Sequence, residues 1–561
     1  MKTVPLPKSD NVAPAPDPFG DWSKVDAKLL AIFALGVLAR IVWLIWRAGV
    51  IEPEGVYYAR LGENLASGAG WIGIHAHGLQ LFYPPLYPML ISTLYKINHN
   101  AEAAGQLVSL VFGSLFIFPI FFIGREMYSE RVAYIAASLT ALQPILVGFS
   151  ATVYCESLYF FLLYTGICFG IRAARELSFR NGMVSGLLIG LAYLTRSEAM
   201  LIGCLAAGCI VLIGRRQILG SLKVAASIGL AITIVAAPYV VFLYSNTGQL
   251  RLEAKSSDNY AYGLMRLQGF TPEQAFRSLD DNLNPIGVTM KTDLENMREA
   301  HFSIGNTMRF IRVAARTNAR ELLVGLFRRF SAGGIPMAVL IAFGLLASPW
   351  NRRRLAVDGL VLLFVLCQFL PLLSLLIFNS RYVVGFIPAL VFWVANGIER
   401  VAQWSYQKFP ILFPALSAHR ASLLATAALV IALLLPAWAT TGSFVDLQRG
   451  DAALKSAGIL VKNLFAGRKL VIMDSDGIVT YYAGATLRPF PFTAESTTFR
   501  YMVANGVNLV VIRQTLSTEI PYYRGWAAAG IADKRATLIA TIPSIRYGNV
   551  LVYRWRADSL E

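Results

Sequence analysis

The sequence predicts a mainly α-helical protein that crosses a membrane many times and ends in a small α/β domain. Of the 561 residues, 56% are hydrophobic and only 15% are charged, and the mean hydropathy is +0.54. A soluble protein has about 25% charged residues. Long apolar runs recur through most of the chain, whereas the last part alternates short β-branched runs with helical stretches. We therefore expect a polytopic helical bundle with about eleven transmembrane helices.

The apolar runs divide the chain into three parts. These are a polar tail at 1–28, a membrane domain at 29–445 and a C-terminal domain at 446–561. No signal-peptide cleavage pattern follows the first apolar run, so the tail is expected to be cytoplasmic and disordered. The predicted spans are 29–49, 105–124, 132–150, 153–171, 182–195, 198–214, 224–244, 331–349, 356–378, 383–398 and 421–441.

Basic residues in the short connections predict the orientation of the bundle. With eleven spans, every basic cluster falls on the side of the N-terminus, and Lys and Arg are enriched in cytoplasmic loops. The N-terminus is thus predicted to be cytoplasmic and the C-terminal domain to lie outside. Much of the net charge of +17 sits in these connections, so we do not expect nucleic-acid binding. The clusters are Arg125 with Arg131, Arg172 with Arg175 and Arg180, Arg215 with Arg216 and Lys223, Arg352 to Arg354, and Arg400 with Lys408 and Arg420.

The predicted outer face carries two long segments besides the C-terminal domain, at 50–104 and 247–330. In the first segment Glu52 and Glu54 directly follow a span. Charge is costly in hydrocarbon, so carboxylates at a membrane boundary are functional candidates. A solvated juxtamembrane loop would have the same composition, and that alternative stays open.

The same topology brings charged residues from distant parts of the chain to the outer face. A carboxylate there could act as general base on an acceptor hydroxyl. Arg or Lys donors could stabilise the charge on a departing phosphate. The pattern therefore suggests group transfer from a lipid phosphate. The residues concerned are Glu54, Glu156, Arg196, Glu198, Arg251, Lys255 and Arg381.

A second basic feature lies late in the segment 247–330. Arg309, Arg312, Arg316 and Arg320 are spaced by three or four residues, so a helix would present all four on one face. This predicts an amphipathic helix at the membrane surface. Attraction to anionic head groups is the simpler interpretation, and handling of a substrate lipid phosphate is the alternative.

The C-terminal domain is predicted to contain a helix and several strands. It has neither a G-x-G-x-x-G motif nor a P-loop, so no nucleotide site is expected. We expect a scaffold or a lobe that presents the acceptor. The predicted elements are a helix at 451–465 and strands at Lys469–Met473, Val507–Arg513, Leu538–Ile542 and Asn549–Tyr553.

Short motifs rich in acidic, aromatic, Gly and Pro residues recur on the predicted outer face: Glu54 to Ala59, Gly68 to Gly70, Pro84 to Pro88, Glu156 to Leu158, Thr195 to Glu198, and Arg381-Tyr382 with Pro388. They resemble the motifs of GT-C glycosyltransferases that use polyprenyl-phosphate-linked sugars. This group contains bacterial aminoarabinose and galacturonic acid transferases and protein O-mannosyltransferases. The resemblance spans roughly residues 25–400. It implies inverting, nucleotide-independent transfer on the periplasmic side of a bacterial inner membrane.

The resemblance also implies roles for individual residues. The family's first-loop acid, usually Asp, falls on Glu54 as general base, with Glu52 in reserve. Glu156 matches a second acid that orients a substrate or a metal, and Arg381 matches a basic residue near the donor phosphate. We add Lys255 and Arg251 as phosphate ligands. The expected substrate contacts are Tyr57, Tyr58, Tyr83, Pro85, Tyr87, Arg196, Glu198 and Tyr382. The expected acceptor is a hydroxyl of an envelope glycolipid such as lipid A, of a glycan or of a protein.

No cofactor is certain from the sequence. His75 and His77 could bind a divalent metal ion together with Glu54 or Glu156, although paired loop histidines are more often ordinary polar residues. The main alternative function is a transporter or flippase for lipid-linked or anionic solutes. A carrier would favour charged residues at mid-membrane and repeated halves. Apart from Arg40, the predicted spans are nearly free of charge, and no internal repeat is evident. A non-catalytic membrane scaffold is a third possibility.

Overall fold

The computed structural model describes residues 25–47, 49–325, 334–347, 350, 352–376, 380–408, 418–448 and 451–556. Most of the predicted tail at 1–28 lies outside these residues. Within the described chain the predicted mainly helical architecture with a small C-terminal sheet is confirmed.

Within the described residues, each predicted span overlaps helical structure, since a helix satisfies all its backbone groups without water. Two predicted spans are divided, one at Phe116 and the other just before Pro144. Pro144 starts a new helix, a position where its missing N–H carries no penalty. The helices in this part are α1 (Ala27–Arg47), α2 (Pro53–Ala66), α3 (Leu86–Asn98), α4 (Ala101–Leu115), α5 (Ile117–Met127), α6 (Glu130–Leu142), α7 (Pro144–Phe149), α8 (Glu156–Glu176), α9 (Phe179–Tyr193), α10 (Glu198–Ile213) and α11 (Ile218–Thr247).

The second half of the membrane domain begins with four helices outside the apolar runs and continues with further apolar helices. A short 3-10 helix, Ser380–Gly385, precedes the helix that starts at Ile387. The helices are α12 (Lys255–Leu267), α13 (Pro272–Arg277), α14 (Asp293–Glu299), α15 (Ile304–Val324), α16 (Gly334–Leu346), α17 (Arg352–Leu372), α18 (Ile387–Lys408) and α19 (Ala418–Gln448).

Among the described residues, six helices are long and apolar enough to cross a membrane, and two shorter ones are similarly apolar. The chain is thus a multi-pass membrane protein, while the count of eleven spans stays a prediction. The six are Ala27–Trp46, Ala101–Met127, Glu156–Glu176, Ile218–Thr247, Arg354–Leu372 and Arg420–Ala439, and the shorter two are Glu198–Ile213 and Pro336–Leu346.

The C-terminal domain is a five-stranded mixed sheet in the order β2-β1-β3-β5-β4. Strand β1 pairs in parallel with β2 and β3, and β5 is antiparallel to β3 and β4. The sequence predicted every strand except β2, which has only three residues and no alternating pattern. The elements are α20 (Ala452–Leu464), β1 (Val471–Met473), α21 (Ile478–Tyr482), β2 (Thr486–Arg488), α22 (Glu495–Ala504), β3 (Leu509–Arg513), α23 (Tyr523–Ala529), β4 (Ala536–Ser544) and β5 (Gly548–Trp555).

The α/β domain docks directly on one end of the bundle, which we call the domain-bearing face. The Tyr482 hydroxyl accepts a hydrogen bond from the Ile51 amide at 2.9 Å and donates one to Glu102 at 2.9 Å. The Leu487 amide donates to the Ile74 carbonyl at 2.9 Å. The first loop is therefore held between the bundle and the sheet.

A second set of polar contacts marks the opposite face. The Tyr128 hydroxyl donates to Asp358 at 2.7 Å, and the Ser129 hydroxyl donates to Glu399 at 3.0 Å. These bonds join the α5–α6 connection to the first half of α17 and the middle of α18. The bundle thus has a second polar end besides the domain-bearing face. Which end is cytoplasmic stays a prediction.

Arg40 is fully buried inside α1. Its guanidinium donates to the carbonyls of Gly36 and Ala141, each at 2.9 Å. The side chain therefore connects α1 to α6.

Candidate active site

Glu54 lies in the first turn of α2, immediately beyond the first span. Pro53 occupies an initial position of the helix, where proline is favoured. A carboxylate at this end is stabilised by the helix dipole. The Glu54 side chain is half-buried, and it lines two adjoining cavities. Glu54, the general base predicted from the sequence, therefore lies between these two cavities.

The first space is a polar cavity of about 290 Å³ on the domain-bearing face. Its walls come from the first loop, from α12 and from the segment around the start of α14. Lys255 and Tyr382, which are distant in sequence, both face the same cavity as Glu54. Its lining residues include Glu54, Tyr57, His75, His77, Tyr83, Lys255, Asp258, Asp293 and Tyr382.

The second space is a narrow neck of about 30 Å³. Glu54, Tyr83 and Lys255 line both the polar cavity and the neck. At its other end, Arg196 and Glu198 line both the neck and a third space. The neck thus connects a polar compartment to the interior of the membrane domain.

The third space is a groove of about 530 Å³ with largely apolar walls. It runs along α10 and is bounded by α17 and the 3-10 helix. Tyr382 lines both this groove and the polar cavity. The three spaces together resemble a site for an amphiphilic molecule, with its apolar part in the membrane and its polar part beside Glu54. The apolar groove is lined by residues that include Phe160, Met200, Leu201, Cys204, Leu252, Cys367 and Leu372.

Glu156 is completely buried at the start of α8 and forms an ion pair with Arg196 at 2.9 Å. Arg196 also pairs with Glu198 at 3.1 Å, and its guanidinium lies over the Tyr159 ring. Burial in itself lowers the pKa of Arg196, but the charges of Glu198 and Glu156 outweigh it and raise that pKa well above its ordinary value. The structure therefore provides a fixed cation where the neck opens into the apolar groove.

The predicted aromatic residues form one packed cluster beside Glu54. The Tyr58 ring lies 4.7 Å from the Tyr83 ring and 5.1 Å from the Tyr87 ring, and Tyr57 lies 5.7 Å from Tyr83. The Tyr58 hydroxyl donates to the Cys155 sulfur at 3.2 Å. Tyr57 and Tyr83 face the polar cavity, whereas Tyr87 is buried and bonded to the Gly105 carbonyl. The cluster fixes α2 against the start of α8.

His75 and His77 line the polar cavity, with their rings 5.2 Å apart. Burial, aided by the charges of His77 and Arg488, lowers the pKa of His75 to about 3, and burial also lowers the pKa of His77. Among the described residues, no group of three or more His, Cys, Asp and Glu side chains could hold a metal ion. The histidines are thus neutral cavity residues, and the structure gives no support to the metal-binding alternative for His75 and His77.

Sequence analysis missed two carboxylates in this cavity. Asp293 accepts hydrogen bonds from the amides of Leu81 and Phe82 at 2.6 and 2.7 Å and from the Gln80 side chain at 2.8 Å. Burial raises the pKa of Asp293 to about 6. Burial and the charge of Asp293 raise the pKa of Asp258 well above its ordinary value. Asp258 lies three residues after Lys255, so a helix places both on one face, and this spacing could have indicated it. No comparable local pattern in the sequence marks Asp293.

Some of the predicted site residues lie elsewhere. Arg251 donates to the carbonyls of Met297 and Ala300 at 3.0 and 2.7 Å, so its guanidinium supports the fold. Glu52 is buried and lines a different cavity, between the first loop and the α/β domain. Pro85 immediately precedes α3, and its neighbour Pro84 lines the neck. Arg381 belongs to the 3-10 helix, but its side chain lies outside the described part of the chain.

Solved structures share this architecture over nearly the whole chain. ArnT from Cupriavidus metallidurans bound to undecaprenyl phosphate has a TM-score of 0.57 at 13% identity, covering 94% of this chain and 98% of that chain. The apo state of ArnT gives 0.59 at 14% identity with the same coverage. Archaeal AglB from Archaeoglobus fulgidus, in complex with an inhibitory peptide and a dolichol-phosphate, gives 0.57 at 14% identity and covers 90% of this chain and 71% of that chain.

These similarities establish the fold, which is that of GT-C glycosyltransferases, and they confirm the resemblance seen in the sequence. More specifically, residues 83–242 match the family described as dolichyl-phosphate-mannose-protein mannosyltransferase. The matched segment includes Tyr83, Glu156, Arg196 and Glu198, which belong to the neck and its ion-pair cluster. A comparison with curated proteins gives no match.

Proposed function

We propose that this protein is an integral-membrane glycosyltransferase that moves a sugar from a polyprenyl-phosphate donor to an acceptor hydroxyl. The observation that carries the proposal is the position of Glu54, which lines both the polar cavity and the neck leading to the apolar groove. A prenyl chain in the groove would place the sugar–phosphate linkage beside this carboxylate.

In the proposed reaction, the acceptor oxygen attacks the anomeric carbon from the side opposite the phosphate. The new carbon–oxygen bond forms as the bond between the anomeric carbon and the phosphate oxygen breaks, so the configuration inverts. Glu54 takes the proton of the acceptor hydroxyl. The electron pair of the broken bond stays on the polyprenyl phosphate, which leaves as the anion.

Lys255 is the proposed principal ligand of that phosphate. It lies at the junction of the polar cavity and the neck, and its ammonium group packs over the Phe82 ring at 5.2 Å. A preorganised cation in a site with little water stabilises developing negative charge strongly. Arg196 adds positive charge at the groove end, and Arg381 is retained as a further proposed ligand from the resemblance.

Glu156 is proposed as a positioning residue rather than as a second acid in contact with substrate. Its carboxylate is fully buried and paired with Arg196, so it orients that guanidinium towards the neck. Asp258 and Asp293 are proposed to bind hydroxyl groups of the transferred sugar or the acceptor. Carboxylates and neutral histidines provide the acceptors and donors that hydroxyl groups need.

The acceptor is proposed to be a hydroxyl of an envelope glycolipid, glycan or protein. ArnT, solved with undecaprenyl phosphate, supports the polyprenyl-phosphate donor, and AglB, solved with an inhibitory peptide, supports a protein acceptor. We place the protein in a bacterial inner membrane, with the N-terminus in the cytoplasm and the α/β domain in the periplasm. The GT-C fold favours this function over the transporter or flippase alternative.

The decisive experiment is transfer of radiolabelled sugar from polyprenyl phosphate by the purified full-length chain in proteoliposomes. We expect labelled product and release of polyprenyl phosphate. A parallel counterflow measurement with the same vesicles tests transport. Movement of the labelled lipid or solute without any transfer would contradict the enzyme assignment.

A further inference from the structure

Helix α15 presents an arginine row that the proposed reaction does not use. All four arginines of the row are exposed. Within the described part of the chain, none of their guanidinium groups forms an ion pair with a protein carboxylate. The buried stripe is on another side of the helix, at Phe310, Ala314, Asn318 and Leu322. The row consists of Arg309, Arg312, Arg316 and Arg320.

Helix α15 lies beside the ends of two apolar helices, α11 and α17. The Asn318 side-chain amide donates to the carbonyls of Leu372 and Leu375, at 2.9 and 2.6 Å, where the apolar helix α17 ends. Near the other end, the guanidinium of Arg251, shortly after α11, lies 4.8 Å from the ring centre of Phe302. With 21 residues, α15 is about 30 Å long. The two contacts place it near the ends of α11 and α17.

The exposed face of α15 also carries apolar side chains that water would not stabilise. Ile304 is 81% exposed, Met308 59% and Val313 58%. Leaving such groups in water costs free energy in proportion to their apolar area. Mixed with arginines at a membrane boundary, they are typical of a helix that lies in the head-group region. Arginine stems can cross apolar surface while the guanidinium reaches the phosphates.

We propose that the exposed face of α15 is a docking surface for anionic phospholipids in the leaflet on the domain-bearing side. The guanidinium row binds the lipid phosphates, and the interspersed apolar side chains contact the upper acyl chains. Arginine suits this partner because its planar fork makes two parallel hydrogen bonds to one phosphate. An acidic soluble protein would match the charges but would leave the apolar side chains exposed.

The docking surface lies next to the polar cavity. Phe310 of α15 packs against Tyr260 of α12, with ring centres 5.5 Å apart. Helix α12 also carries Lys255 and Asp258, which line the cavity. Bound lipid would thus stabilise the helix that forms one cavity wall. The inference concerns lipid binding, so it is independent of the proposed transfer reaction.

The test uses the full-length protein reconstituted in equimolar phosphatidylcholine and phosphatidylglycerol. After mild detergent extraction, mass spectrometry measures the ratio of the two lipids that remain bound. The test variant carries Arg309→Gln, Arg312→Gln, Arg316→Gln and Arg320→Gln. The matched control removes four exposed charges from the α/β domain through Arg468→Gln, Lys469→Gln, Arg524→Gln and Lys534→Gln.

We expect phosphatidylglycerol to be enriched on the wild type and on the control, and the enrichment to fall about tenfold or more in the test variant. One basic residue near an anionic surface contributes about a fivefold preference. A variant with lysine at the same four positions retains the charge and should keep most of the enrichment, which separates charge loss from misfolding. Excess inorganic phosphate should not displace the lipid.

Four results would contradict the proposal. The glutamine variant could keep the wild-type enrichment, or the control variant could lose as much as the test variant. The lysine variant could lose the enrichment as completely as the glutamine variant, in which case charge is not what binds. Displacement of the lipid by inorganic phosphate alone would also count against it, since it indicates a site for free anions.

Discussion

Arg196 and Glu156 form an ion pair at 2.9 Å, in which the carboxylate is completely buried and the guanidinium is 18% exposed. They come from the turn before α10 and the first turn of α8. The pair joins two membrane helices at the depth where the neck opens into the apolar groove. Of the two acids to which the resemblance assigns catalytic roles, Glu54 therefore faces the cavities, whereas Glu156 is buried in an ion pair.

The first prediction concerns the proposed base. Glu54→Gln should lower the rate of sugar transfer by about 100-fold or more, because general-base catalysis is worth that much and the amide cannot take the proton. Glu54→Asp keeps the carboxylate and should retain part of the activity. The measurement is the initial rate of radiolabelled product formation in proteoliposomes.

Glu52→Gln is the matched control for that prediction. Glu52 is 6% exposed, and its carboxylate lies 3.4 Å from the Val153 amide, away from the polar cavity. Its substitution should lower the unfolding temperature more than the transfer rate. The reverse pattern, with Glu52→Gln inactive and Glu54→Gln active, would transfer the role of base to Glu52.

The second prediction uses the buried ion pair. Arg196→Gln leaves Glu156 as a buried charge without this partner, and breaking such a pair typically costs about 3 kcal/mol. Glu156→Gln should cost less, because Arg196 still pairs with Glu198 at 3.1 Å. The double variant should be more stable than Arg196→Gln alone but no more active. Thermal unfolding in detergent and the transfer assay measure the two properties.

If the destabilisation of the double variant equalled the sum of the two single variants, the two side chains would not interact. The positioning role of Glu156 would then be withdrawn. Deviation from additivity is the expected result for residues in direct contact.

The sequence was sufficient for the parts of the fold that depend on composition. A long apolar run has few stable structures in a membrane besides a helix, so each predicted span overlaps helical structure where its residues are described. The arginine row of α15 also follows from local spacing. The three-residue strand β2 was missed because its pairing with β1 depends on residues far away in the chain.

The candidate site shows the same limit. Glu54, Lys255 and Tyr382 were selected from motifs or from their position after a span, and they do line one cavity. Asp293 was missed because its role depends on the segment before α14 folding back onto the amides of Leu81 and Phe82. Arg251 was selected for its position after a span, yet it bonds to main-chain carbonyls. Local sequence does not specify such long-range contacts.

The third prediction concerns pH and His75. The folded pKa is about 3, below the ordinary value of about 6.5. Between these values the unfolded chain takes up a proton that the folded chain does not. The contribution of neutral His75 to the free energy of unfolding is therefore fully present above pH 6.5 and is lost as the pH falls towards 3. The loss amounts to up to about 1.4 kcal/mol at pH 5.5.

The variant His75→Asn isolates this contribution. It should reduce the loss of thermal stability between pH 7.5 and pH 5.5, values chosen about one unit either side of the ordinary histidine pKa. Asp293 acts in the opposite direction, since its raised pKa of about 6 favours the folded state at low pH. The difference between wild type and variant cancels that effect. An unchanged slope in the variant would show that His75 already titrates normally.

The last prediction concerns how the α/β domain shapes the cavity. The Arg488 guanidinium donates to the His75 carbonyl at 2.5 Å and to the Asn505 side chain at 3.1 Å. The neighbouring Leu487 amide holds the Ile74 carbonyl. The loop that carries both histidines is thus attached to strand β2, and we expect Arg488 to act as a positioning residue.

Arg488→Gln should raise the KM for the acceptor by about tenfold, since a charged hydrogen bond contributes about 1.5–3 kcal/mol. The KM for the polyprenyl donor should change little, because the donor's apolar groove has no wall from this domain. The same variant removes a positive charge near His75 and should raise the pKa of that imidazole. Arg468→Gln, an exposed substitution on the same domain, should change neither quantity. Equal effects on both KM values would instead indicate a general loss of folding, and the positioning role would fail.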